Sequence, residues 1–256
     1  MKSSLVFLLV VAVGVGAAEP LPNAEAERAM RQFRLPAGFV VRLWAAEPLL
    51  RNPVCFAFDE KGRCYVAETY RHHRGVTDNR AHMYWLDDDI AARTVEDRVA
   101  MYKKHAKERF AEIYEKYEER VVQVWDSDGD GVADRTSVFA DGFKTAASGI
   151  GAGLLARGPK VWYANIPDLW LLQAPKDQHR AASRTSLHYG YGVHVAFLGH
   201  DLHGLVMGYD GRIYFSVGDR GLNVRTKEGR RLENPDSGAV LRCEPDGSHL
   251  EILHIG

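Results

Sequence analysis

The sequence predicts an all-β chain of repeated antiparallel hairpins, and three observations carry that expectation. Short runs of alternating apolar and polar residues are bounded by Asp, Gly and Pro, as strands and turns are. One hairpin text recurs, a small-apolar strand, a turn and an aromatic-apolar strand: "PVCFAFDEKGRCYVAET" (53–69), "GLLARGPKVWYAN" (153–165) and "GLVMGYDGRIYFSVGD" (204–219). A second hairpin type, "VVQVWDSDGDGVADRTSVFADGF" and "AVLRCEPDGSHLEILHIG", follows the first and third of these. Hairpin pairs repeating every ~40–50 residues read as blades of a β-propeller.

Taken in order, residues 1–18 read as a secretory signal peptide. Lys2 precedes an apolar run, Leu5 to Ala18, that ends in small residues before Glu19 and Pro20 and is short for a bilayer span. An uncleaved anchor is the other reading. The mature chain is then expected to be exported, periplasmic or extracellular, with no further span. Residues 19–35 are a polar leader or short helix, and 36–256 form the propeller text, starting with the strand "GFVVRLWA". A helical insertion is expected at about 87–120. Val95, Val99, Tyr102, Ala106, Phe110, Ile113 and Tyr117 make one amphipathic stripe, and Thr94 with Asp97 looks like a capping box. Glu112 and Lys116 are spaced to pair. Without signal, leader and insertion, roughly 180–200 residues remain, enough for about four blades. The text stops at "EILHIG", after an outer hairpin, where an open strand edge would remain; a fragment of a longer protein is expected.

Composition excludes some classes. Lys and Arg number 33 against 34 Asp and Glu, and no basic stripe occurs, so nucleic acid is not an expected partner. Cys55, Cys64 and Cys243 are too few and odd in number for a disulfide framework. Cys55 and Cys64 could lie diagonally on one sheet face, but buried thiols are the expected state. No Cys-x-x-Cys-His motif is present for haem attachment.

Two stretches could carry chemistry. "DSDGDGVAD" sets Asp126, Asp128, Asp130 and Asp134 at positions one, three, five and nine of a calcium loop, with Gly131 at the turn. Ser137 stands where the bidentate acid belongs, and an ion-free Asp/Gly turn explains the stretch equally well. "LHYGYGVHVAFLGHDLHGL" carries His188, His194, His200 and His203. Three readings apply: a metal site from His194, His200 and His203; channel-lining histidines bonded to backbone; or one imidazole acting as a general base beside Asp201 or Asp219.

The text "GHDLHGLVMGYDGRIYFSVGDRG" resembles the His-containing strand pair of the quinoprotein glucose/sorbosone dehydrogenases. With "FDEKGRCYVAETYRHHRGVTDNR", "DSDGDGVADRTSVFADGF" and "GYGVHVAFLGHDLHGL", the chain from 36 to 256 is more similar still to the N-terminal propeller of the bacterial proteins called membrane-bound dehydrogenases. The resemblance implies a six-bladed propeller, pyrroloquinoline quinone and calcium as cofactors, a sugar or small alcohol as substrate and an electron-accepting cytochrome as partner. It puts the catalytic base at His200 and the carboxylate that orients it at Asp219, and leaves His203 to line the channel. Tyr209 replaces the usual Pro of the turn, while Asp210 and Gly211 keep its chemistry. The pattern next supplies an Arg-Asn pair and later basic groups for the cofactor, and the text ends before them; Arg51 to Pro53 precedes the first hairpin and does not map onto that pair. The function expected is thus the N-terminal part of a sugar or alcohol dehydrogenase. The alternatives are a non-catalytic carbohydrate- or protein-binding propeller and a metal-dependent hydrolase.

Overall fold

The computed structural model describes residues 7–10 and 23–256. The segment read as a signal peptide therefore lies outside the described residues, except for strand β1 (Phe7–Val10). That strand pairs antiparallel with β2 (Val41–Ala45). Between them α1 (Ala24–Met30) begins where Asn23 accepts a hydrogen bond from the amide of Ala26 at 2.9 Å, an N-cap within the polar leader.

Three four-stranded antiparallel sheets follow, each in chain order. The first holds β3 (Pro53–Phe58), β4 (Cys64–Glu68), β5 (Glu119–Trp125) and β6 (Arg135–Phe143). The second holds β7 (Gly151–Arg157), β8 (Lys160–Asn165), β9 (Asp168–Gln173) and β10 (Ser183–Tyr189). The third begins with β11 (Leu202–Met207) and β12 (Ile213–Val217). A separate hairpin, β13 (Leu222–Arg225) with β14 (Arg231–Asn234), interrupts it before β15 (Ala239–Cys243) and β16 (Glu251–Ile255) complete it. None of these sheets closes into a barrel among the described residues.

The period-two alternation of the hairpins explains how the sheets stack. Leu154, Val161, Tyr163 and Leu172 of the second sheet face Tyr65, Ala67, Val121 and Phe139 of the first. Their neighbours Trp162, Ala164, Leu169 and Leu171 face Ile213, Phe215 and Leu241 of the third. Each large side chain buried this way contributes about 1.5–3 kcal/mol. The leading strands lie together, β7 in contact with both β3 and β11.

Between β4 and β5 the chain forms α2 (Leu86–Ala91), α3 (Val95–Ala106) and α4 (Phe110–Tyr114). Thr94 and Asp97 make the reciprocal bonds of a capping box at the start of α3. The stripe from Val95 to Tyr117 is not one helix: Lys107 turns to φ 50° and ends α3. Glu112 consequently pairs with Arg109, at 3.6 Å. Trp85, Met101, Tyr102 and Tyr114 pack on Ala146 and Val195, and Arg98, 1% exposed, donates from Nε to the carbonyl of Gly192 and from Nη2 to that of Ala147.

Other differences from the sequence reading have local causes. Three four-stranded sheets form rather than about four blades, because residues 222–234 leave the ladder as a hairpin and β2 pairs with β1. Cys55 and Cys64 do not share a face, since Cys55 sides with Tyr65 and Cys64 with Val66. All three thiols are free, and burial pushes each up to about 12, so none is a ready nucleophile.

Candidate functional site

The antiparallel register that sets Leu202 opposite Val217, continued two residues outward, brings His200 opposite Asp219. Imidazole Nδ1 lies 2.7 Å from Asp219 Oδ1, and both side chains are about half exposed, 47% and 45%. An ionised carboxylate only accepts, so Nδ1 is the donor in this bond, and in the neutral ring the lone pair then falls on Nε2. Nε2 meets no partner among the described residues. The ring stands edge-on to Phe197, 5.7 Å between centroids, and Arg80 covers that phenylalanine at 5.3 Å.

Two glycines make the approach feasible. A Cβ on Gly218 would come within 2.8–3.0 Å of the oxygen, Cβ and Cα of His200. A Cβ on Gly221, at φ 67°, would meet the carbonyl oxygen of Pro235 at 2.0 Å. Between these glycines Asp219 turns outward and Arg220 inward. Arg220 is 1% exposed rather than at the channel mouth, and it donates from Nη1 to Asp201 Oδ1 at 2.6 Å. Sequence reasoning missed this pair, although a signal existed: the dipeptides His200-Asp201 and Asp219-Arg220 carry complementary charge at one spacing.

A cavity of about 500 Å³ opens beside β3, β7 and β11, lined among others by Thr69, His72, Ala152, Leu198, Asp201 and His203. His200 is not among its lining residues. Thr69 Oγ1 donates to Glu119 at 2.8 Å, and burial raises that carboxyl above the ordinary glutamate range.

The remaining histidines are dispersed. His188 Nε2 donates to the carbonyl of Gly247 at 2.6 Å, and His194 Nδ1 to that of Asp89 at 2.6 Å. Both are buried and bonded to backbone. The metal reading fails, because His194, His200 and His203 do not converge: among the described residues the one group with ligand atoms within 4.8 Å is Asp126, Asp128 and Asp130. Asp134 stands outside that group, accepting from the amide and hydroxyl of Ser127 at 2.8 and 2.7 Å. Asp126 accepts from the amides of Asp128, Gly129 and Gly131. Burial raises its pKa, but those amides outweigh burial and hold it below the ordinary aspartate range.

Fold and site together define a β-rich chain that presents a carboxylate-held imidazole on a strand-end turn. The chain belongs to a family described as a domain of unknown function (DUF7133), which matches residues 25–256. No curated protein matches the chain. Among solved structures it is similar to a puromycin-hydrolyzing peptidase of Mycobacterium tuberculosis, with 12% identity and a TM-score of 0.35. That likeness covers 84% of this chain and 30% of the peptidase chain, and at this level it assigns neither fold nor activity. No helix among the described residues is long and apolar enough to cross a membrane.

Proposed function

We propose that this chain is the N-terminal part of a quinoprotein-like sugar or alcohol dehydrogenase built on a β-propeller, in which His200 is the general base and Asp219 orients it. The observation that carries the proposal is the 2.7 Å contact between His200 Nδ1 and Asp219 Oδ1. It fixes the tautomer, leaves Nε2 free to take a hydroxyl proton, and sets a negative charge against the imidazolium that forms. Support for the propeller is the run of three four-stranded meanders stacked face to face with leading strands side by side. On this reading the protein is exported and passes electrons to a cytochrome.

Pyrroloquinoline quinone, which the resemblance implies, carries carboxylates that need cations. Beside the dyad, Arg80 is bound to Asp78 and Arg220 to Asp201. Neither of these two cations is therefore free for the quinone, and the dyad provides only the acid–base half of the reaction. Calcium has a better donor set in Asp126, Asp128 and Asp130, at a turn where it would brace the hairpin rather than act on substrate. Titration calorimetry of wild type and Asp128→Ala tests this; equal heats in the two would dismiss the site.

The main test adds the quinone and calcium to the protein expressed from the complete reading frame and follows dye reduction with aldoses. Wild type is expected to turn over, and His200→Ala to lose about 10²–10⁴-fold. Quinone-dependent reduction that His200→Ala leaves intact would overturn the proposal, as would a failure to bind quinone. A non-catalytic carbohydrate- or protein-binding propeller is the second reading, favoured by the cavity that His72 and His203 line and His200 does not. Sugar binding without reduction, unaffected by His200→Ala, would select it.

A further inference from the structure

Two ion pairs with the same separation of 19 residues cross the mouth of the β11–β12 hairpin. The outer one joins His200 to Asp219. The inner one joins the next residue of each strand end, Asp201 to Arg220. The chain alternates, so the outer pair is half exposed and the inner pair is sealed, at 0% and 1% exposure.

A sealed ion pair is a poor source of stability, because desolvating both charges offsets their attraction. This one carries a further cost, since Asp201 Oδ2 has no hydrogen-bond partner among the described residues. What the pair supplies is registry. Arg220 reaches Asp201 on one strand end and, through Nε, the carbonyl of His194 at 3.2 Å, while its own carbonyl accepts from the amide of His194 at 2.9 Å. Gly149 leaves room for the carboxylate, for a Cβ there would stand 2.8 Å from Asp201 Oδ1. The turn bearing Asp219 is thereby fixed from beneath to the segment bearing His200. A charge-assisted bond of 2.7 Å tolerates little sliding between its two backbones.

We infer that Asp201 and Arg220 are positioning residues: their buried pair holds the Gly218–Gly221 turn at the distance that lets Asp219 keep the proton of His200 on Nδ1. The inference rests on the reading of His200 and Asp219 as a working pair, and the test separates the two.

The full chain, labelled with nitrogen-15 histidine, reports the Nδ1–H of His200 directly, its resonance assigned by its loss in His200→Gln. Asp219→Asn is expected to abolish the wild-type Nδ1 signature while the signals of buried His188 and His194 stay in place. If Asp219→Asn changes nothing at His200, the working pair itself is refuted. Arg220→Lys keeps the charge but not the two-armed reach, and is expected to lose at least half of the Nδ1–H signal with His188 unmoved. The double variant Asp201→Leu, Arg220→Met removes both charges while filling the space, and is expected to fold and show the same loss. A wild-type His200 signature in the double variant would overturn the inference. Collapse of every histidine signal in both variants would also overturn it, because the pair would then serve the fold as a whole.

Discussion

At the β5–β6 turn Asp126 commits both carboxylate oxygens to amides of its own loop. After β12, Asp219 commits one to an imidazole nineteen residues away. Both turns carry Asp and Gly. The first is closed upon itself, and its geometry follows from local sequence. The second depends on a neighbouring strand end and on a guanidinium beneath it, so its geometry is a product of tertiary structure. Acidic residues at suggestive spacing therefore mean different things, depending on what their oxygens already accept.

The comparison can be broken by substitution, and the largest effect is expected at the distant-partner turn. Gly221→Ala should cost about 3–5 kcal/mol, from left-handed strain and a clash with backbone that cannot step aside, read as a lower urea midpoint. An equal loss at Gly129→Ala, where a Cβ meets nothing within 4 Å, would erase the contrast. Next comes Asp168, a buried carboxyl with neither amide cage nor ion pair among the described residues. Burial pushes it up to about 6, against the hydroxyl of Ser186. Its folded form holds the proton more tightly than the unfolded chain does. Its contribution is thus fully present below about pH 4 and lost as pH rises through about 6. Asp168→Asn should remove that decline and leave the protein up to about 3 kcal/mol more stable at pH 7, with no gain at pH 3.5. Urea melts across this range decide it, and an unchanged pH profile would contradict the assignment.

Smaller effects sharpen the contrast. Asp126→Ala should cost about 1 kcal/mol through its lost amide acceptors, whereas Asp128→Ala without calcium should cost nothing measurable by the same melts. Asp219→Asn should change stability by less than about 0.5 kcal/mol, since exposed ion pairs contribute little, even as it removes the His200 bond.

Much of this was legible beforehand. The hairpins at 53–69, 153–165 and 204–219 follow from period-two patterning and turn residues, and the capping box at Thr94 from four residues of text. Both are local signals. What escaped was set at a distance. Arg220 reads as a surface residue until Asp201 is seen beneath it, and Lys107 carries no mark of the break it makes in the helical stripe. The three-histidine grouping failed because His194 is buried against the carbonyl of Asp89 while His200 stands half exposed on Asp219. The resemblance brought His200 and Asp219 to notice; only the register of β11 on β12 shows why they meet.

Arg98 has a practical consequence for anyone wishing to trim this protein. Its guanidinium satisfies the carbonyls of Gly192 and Ala147, so cutting out the excursion between β4 and β5 would strand both oxygens without a donor. The helices are consequently no removable ornament, and a shortened version joined across 70–118 should be insoluble.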